Sequence, residues 1–218
     1  PADIARLHRQ ASAWLEAHGD IGEAVLHALA AQDVEQAAQM VETAWEGMNQ
    51  TFQSTSWLRW AQRLPERSIT TRPVLCAQIA QSLIDVGDVV SSEAYLRLAE
   101  RYLIDSTVEP LANGRTQLAT LPARLTLARA YNALVAGALC EAVRLAEQGL
   151  ALAPADNIVL RGQAHVTMGC AQWATGHLDA GAAALNEWVE TTRQAGVEMF
   201  AVAGASGLAD VLVEQGHL

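Results

Sequence analysis

Six residues of this chain carry side-chain types that grip a small polar molecule without reacting with it: Asp85, Arg129, Asn132, Gln163, Trp173 and Asp210. An indole offers a flat apolar face for stacking, while a guanidinium, two amides and two carboxylates supply donors and acceptors around it. That mixture suits a sugar, a small polar metabolite or a peptide. The reading requires folding to bring scattered positions onto one groove, which Glu214 would share. It competes with one in which Trp173 only packs between neighbouring elements and the polar groups meet water. The other tryptophans, Trp14, Trp45, Trp57, Trp60 and Trp188, fall on apolar faces and are expected in the core or between helices.

Reactive chemistry finds no comparable support. The histidines stand at positions 8, 18, 27, 165, 177 and 217, and no two have the i, i+4 spacing around a glutamate that marks a helical zinc site. No metal and no cofactor are expected. No Ser-His-Asp or Cys-His arrangement can be proposed from spacing, so the segment reads as a binder and not an enzyme. Cys76, Cys140 and Cys170 are odd in number and sit in apolar helical contexts, which predicts buried, reduced thiols in a cytoplasmic protein. Gly204-Ala205-Ser206-Gly207 resembles a phosphate cradle only superficially, because it lies inside a helical pattern where small residues signal close helix packing.

The elements that must position the six residues announce themselves by repetition. A glycine is followed by a small residue five positions later and another residue seven further on: Gly87–Ser92–Ala99, Gly137–Ala142–Gly149 and Gly176–Gly181–Trp188, with Gly216 opening a fourth copy. The glycine-to-glycine steps are 50, 39 and 40 residues, a period that belongs to stacked helix–turn–helix repeats. Asp20 and Asp33 predict N-caps, Pro73 opens a strong helix, and Leu64-Pro65 closes a short one. The pattern weakens over Gly47–Thr55, and Asp105–Gly114 reads as a loop that lengthens the first step. Helices are expected from about Ser91 to Leu103, from Pro122 to Ala136, and then over 141–152, 157–175, 179–195 and 197–215. In such repeats the first helix of each pair lines the inner groove; the register there selects Asp85, Gln163, Trp173 and Asp210, and in the second pair, which fits less well, two extra turn residues would aim Arg129 and Asn132 inward.

Composition agrees with an all-α fold. Hydrophobic residues make up 51% but aromatic residues only 5%, so alanine and leucine carry the apolar content and suit closely spaced helices. The net charge is −10 and every one of the 14 basic residues is arginine, with no dense basic stripe, which argues against nucleic-acid binding by this segment and against anionic membrane surfaces. No apolar run reaches the roughly 18–20 residues that cross a bilayer. No secretion signal is evident. The missing initiator Met and the stop after Gly216-His217-Leu218 predict a segment of a longer protein.

The stretch HRQASAWLEAHGDIGEAVLHALAAQDVEQAAQMV, from His8 to Val41, resembles the helical arm that follows the ATPase module in large LuxR-type transcription regulators. Trp60, Leu64-Pro65, Arg72-Pro73 and Leu75 continue the resemblance, and LRGQAHVTMGCAQWATGHLDAG, from Leu160 to Gly181, is similar to tetratricopeptide pairs. The resemblance implies an arm over residues 1–50 and a tetratricopeptide-like right-handed superhelix over residues 51–218. It further implies a nucleotide-binding switch upstream and a DNA-binding helix-turn-helix downstream. Neither motif lies in this chain: there is no G-x-x-x-x-G-K-[ST] and no basic recognition helix. The function expected from the resemblance is signal sensing, with a small effector or a protein partner on the superhelix and self-association of the regulator. The alternative is a general scaffold that docks a peptide or helix in its groove. The apolar face of the last helix, with Leu208 and Leu212, is expected to lack its normal cover.

Overall fold

The computed structural model describes residues 2–104 and 118–217, and every regular element in them is helical. The all-α expectation is met. Two compact units divide the chain, Pro1–Thr107 and Val108–Leu218. The loop expected over Asp105–Gly114 lies outside the described residues.

The first unit contains α1 (Ala2–Ala17), α2 (Ile21–Ala30), α3 (Val34–Gln50), α4 (Ser54–Ala61), α5 (Glu66–Thr70), α6 (Pro73–Asp85) and α7 (Val89–Ile104). The carboxylates of Asp20 and Asp33 accept the backbone N–H groups of Glu23 and Gln36, so both caps form where the sequence places them. Helices adjacent in sequence pack as pairs, α1 on α2, α2 on α3 and α6 on α7. Two tryptophans centre this core. Trp45 and Trp57 meet edge to face with ring centroids 4.7 Å apart, and the indole N–H of fully buried Trp57 donates to the Val41 carbonyl at 2.7 Å. That bond matters because a buried indole N–H without a partner would carry its full desolvation cost. Helix α6 is enclosed nearly all round, from Pro73 at its first position to Ile84, with Gln81 left out.

A charged group is drawn into the same core. Arg72 precedes α6 and its Nη1 donates to Glu42 Oε2 at 3.2 Å, while Nη2 bonds Glu35. The Arg72 and Glu42 side chains are only 11% and 12% exposed, against 74% for Glu35, so the pair with Glu42 is the structural one. Burial pushes the Glu42 carboxyl up from its ordinary value, opposed by the guanidinium. Between α1 and α2, the Nδ1 atoms of His8 and His27 lie 2.9 Å apart, so one ring donates and the other accepts.

The second unit contains α8 (Leu121–Val135), α9 (Leu139–Leu152), α10 (Ile158–Ala174), α11 (Leu178–Gln194) and α12 (Glu198–Glu214). Each helix packs on the next, and α8 also packs on α10. The turn after α10 shows why glycine recurs. Gly176 has φ +80°, its N–H bonds the Trp173 carbonyl, and the His177 N–H reaches back to Gln172, both at 2.9 Å. This is the double bond pattern that closes a helix through a left-handed residue, where any side chain is strained. The residue five positions on is then buried against the preceding helix: Ser92 and Ala142 are 0% exposed, and Gly181 is buried. Farther along, a methyl group at Gly149 would lie 2.5 Å from the Leu127 side chain, and one at Gly169 would lie 2.7 Å from Leu185 Cγ.

Several expectations need correction. Trp14 is 60% exposed and stacks on His18 at 4.0 Å between centroids, so it is not a core residue. Its place on the apolar stripe of α1 was real, but the ring packs on neighbouring His18 and stays largely in solvent. Cys140 is exposed and Cys170 only partly buried, and Cys76 alone is deeply buried. Helix α3 runs through Gly47 to Gln50 and turns at Phe52, whose φ is +55°. The short helix α5 was missed because it lies between two prolines with little apolar periodicity. Trp60 covers Gly22, and Trp188 covers Gly162 and Gly204, which agrees with packing between helices. Leu208 and Leu212 are half-buried.

Two sets of substitutions test these contacts. Gly169→Ala should cost about 2 kcal/mol through overpacking against Leu185. Gly47→Ala, where no atom lies within 4 Å, should stabilise by about 0.5–1 kcal/mol through helix propensity. Urea melts that shift both variants the same way would reject the close-packing account. Arg72→Ala should destabilise by about 3 kcal/mol because it strands Glu42, and the double change Arg72→Met with Glu42→Leu should recover most of that. Equal losses in the single and double variants would count against a buried ion pair.

Candidate functional site

Five of the six residues selected from the sequence fall in the second unit and one, Asp85, in the first. In the second unit they occupy alternate helices. Arg129 and Asn132 stand on α8, Gln163 and Trp173 on α10, and Asp210 on α12. Their distances from the following turn glycine differ: Arg129 and Asn132 lie eight and five residues before Gly137, Gln163 and Trp173 thirteen and three before Gly176, and Asp210 six before Gly216.

Trp173 is partly exposed, and its indole N–H donates to Glu214 Oε2 at 2.9 Å. This bond ties α10 to the last turn of α12. A second link joins the same end of α12 to its predecessor, Gln215 Nε2 to Asp179 Oδ1 at 2.7 Å. Trp173 is also placed by its own backbone. Gly181 on α11 lies so close that a methyl group there would sit 3.1 Å from the Trp173 nitrogen and 3.2 Å from the Gly169 carbonyl oxygen. The indole is therefore anchored at its root by helix packing and at its tip by a carboxylate, with part of the ring left to solvent.

The other positions differ in character. Asn132 is only 9% exposed, and its Oδ1 has no hydrogen-bond partner. Arg129 and Gln163 are half-buried, and the Gln163 backbone carbonyl accepts from Thr167 Oγ1 at 2.9 Å. Asp210 is exposed one turn before Glu214. Also on α10, burial holds the His165 imidazole below its usual value, with Glu187 opposing and Arg161 reinforcing the shift.

Asp85 has a local role in the first unit. As a residue it reaches solvent at the end of α6, yet its carboxylate accepts from Gln81 Nε2 at 3.2 Å and from Ser54 at the start of α4. Surrounding protein atoms raise its carboxyl from the ordinary value, and the two hydrogen bonds oppose that shift. The structure thus joins Trp173 to Glu214 and gives Asp85 partners of its own. The Trp173–Glu214 bond was invisible in the sequence because its partners are 41 residues apart and fall at different distances from their turn glycines, three residues before Gly176 and two before Gly216. Among the described residues no group of three or more His, Cys, Asp or Glu is placed to hold a metal ion.

Trp173→Phe should remove the tie to Glu214 and cost about 1 kcal/mol, the scale of a partly solvated hydrogen bond to a charged acceptor. Glu214→Ala should cost about the same, and the double variant should cost little more than either. Additive losses in chemical denaturation would show that the two groups act independently.

No known protein family's sequence profile matches the chain. A stretch of 77 residues is 39% identical to part of the serine/threonine-protein kinase PknK of Mycobacterium tuberculosis, both in strain H37Rv and in strain CDC 1551. The same similarity holds for PknK of Mycobacterium bovis. The matched stretch is 35% of this chain and 7% of the kinase, so the likeness spans a small part of the relative's length.

Proposed function

We propose that this chain is the signal-sensing and interaction segment of a large regulator of the LuxR type, a tetratricopeptide-like superhelix that binds a small polar effector. The observation that carries this reading is the partly exposed Trp173, its indole N–H held by Glu214 of α12, with Arg129, Asn132, Gln163 and Asp210 on the alternate helices α8, α10 and α12. An aromatic face with fixed orientation and hydrogen-bonding groups around it is the arrangement by which proteins hold sugars and small polar metabolites. The likeness to a stretch of PknK supports a helical segment shared among multidomain signalling proteins. In this reading the segment binds and does not catalyse, and DNA and ATP engage other parts of the regulator. The setting is the cytoplasm, where a transcription regulator works; among the described residues no helix is long and apolar enough to cross a membrane.

The effector acts by differential affinity. A ligand that bridges two neighbouring repeats favours whichever arrangement of α10 and α12 fits it, and only that difference can shift a resting regulator toward a self-associating one. A second reading, a scaffold that docks a helix or peptide, is favoured by α12 itself, where Met199, Val202 and Val213 are each at least half exposed.

A thermal-denaturation screen against sugars, amino acids and nucleotides, followed by tryptophan fluorescence, tests the first reading. The expected result is one chemical class that raises the midpoint, corresponding to about 2.7 kcal/mol at a hundred times its Kd. Trp173→Ala should remove that stabilisation. A complete screen without a shift, or a shift that survives Trp173→Ala in a folded chain, would overturn the sensor assignment to this face.

A further inference from the structure

A second candidate site lies in the first unit. Helices α4, α5, α6 and α7 enclose a cleft of about 200 Å³. Its walls are aliphatic: Leu58, Ile69, Ile79 and Leu83 line it and are each no more than 7% exposed. Gln62, Asp88, Ser91 and Tyr95 add polar groups to the lining. An apolar cavity of about 150 Å³ accepts a molecule the size of benzene, so this cleft takes a body of about five or six heavy atoms.

The electrostatics of the polar lining favour one sign of ligand. Asp88 caps α7 by accepting the Ser91 N–H at 3.0 Å, a bond that lowers its carboxyl and keeps it ionised at neutral pH. The Ser91 side chain adds a second hydrogen bond, and two bonds still leave part of the acceptor capacity of a carboxylate unused. Among the described residues no arginine forms an ion pair with Asp88. The Tyr95 phenol is held above its usual value chiefly by burial, so it remains neutral and able to hydrogen-bond. A carboxylate head would meet Asp88 with like charge; an ammonium head would be neutralised by it.

We propose that this cleft is a binding site for a small free aliphatic amine, its branched hydrocarbon body among Leu58, Ile69, Ile79 and Leu83 and its ammonium group at Asp88 and Tyr95. The site is independent of the Trp173 face and stands whether or not that face binds an effector.

Three probes of the same body isolate the head group: 3-methylbutylamine, 3-methylbutanol and 3-methylbutanoate, each titrated into the full chain and followed by amide chemical shifts. The amine should perturb signals of residues 58–62 and 88–95 and bind at least tenfold more tightly than the carboxylate, with the alcohol between them. Asp88→Asn keeps a side-chain oxygen for the cap and removes the charge, so the amine should fall to the affinity of the alcohol. Ser91→Leu, at a half-buried position on the cleft wall, should weaken all three probes at least tenfold in a chain whose spectrum remains folded. Shifts confined to the second unit, equal affinity for amine and carboxylate, or an amine preference that survives Asp88→Asn would each overturn the assignment. So would the absence of any shift at millimolar probe.

Discussion

The second unit depends on one constraint: consecutive helices approach so closely that a methyl group does not fit between them. At Gly181 the neighbours that would meet a Cβ are backbone atoms of α10, which cannot move aside as a side chain can. At Gly149 and Gly169 the space is filled by Leu127 and Leu185, laid across the bare backbone of the partner helix. Both leucines are essentially unexposed, so the glycines do not create voids but admit large aliphatic groups from the other side. The low aromatic content follows from the same geometry, since a ring needs a wider gap than these helix pairs leave. Trp188 confirms the rule by lying over two glycines, Gly162 and Gly204.

The first unit solves the same burial problem with larger pieces. Trp45 and Trp57 meet edge to face, Trp60 covers Gly22, and Arg72 is drawn in beside Glu42. Three polar groups drawn into this core find partners: the Trp57 N–H at Val41, the Arg72 guanidinium at two carboxylates, and the Cys76 thiol at the Ile69 carbonyl. Burial beside Glu42 pushes that thiol up to about 12, so Cys76 is an inert packing group and not a nucleophile. Helix α6 sits at the meeting point of these contacts, which explains why it is enclosed on almost every face. The short α5 and the turn at Asp88 close its sides and leave the aliphatic cleft.

Function follows from where the packing stops. Trp173 lies directly above the tight contact at Gly181, so its root is immobile while its ring is partly free. Glu214 then fixes the ring from the neighbouring repeat and makes its orientation a property of two helices at once. A molecule that touches this ring senses the spacing between repeats, which is the mechanical basis of the proposed sensing role. The cleft at Asp88 has a different logic: its polar group is there to cap a helix, and its ligand preference is a consequence of that cap.

The sequence by itself determined the long helices and the turns between them, because caps and turns are set by neighbours a few residues away. The left-handed turn at Gly176 needs a residue without a Cβ, Asp20 and Asp33 cap the helices that follow them, and the small residue five positions after each turn glycine is buried as its spacing requires. Register likewise placed Arg129, Asn132, Gln163, Trp173 and Asp210 on alternate helices. Only the tertiary structure decided what each side chain meets there. Trp14 and Cys140 carry apolar side chains on helical stripes, yet no other element covers them, and a stripe encodes a preference for burial without supplying the cover. Asp85 has a carboxylate fit for a ligand, but Ser54 and Gln81 reach it first. The bond between Trp173 and Glu214 and the cleft beside Asp88 join residues from separate helices, and such contacts exist only once the helices have packed.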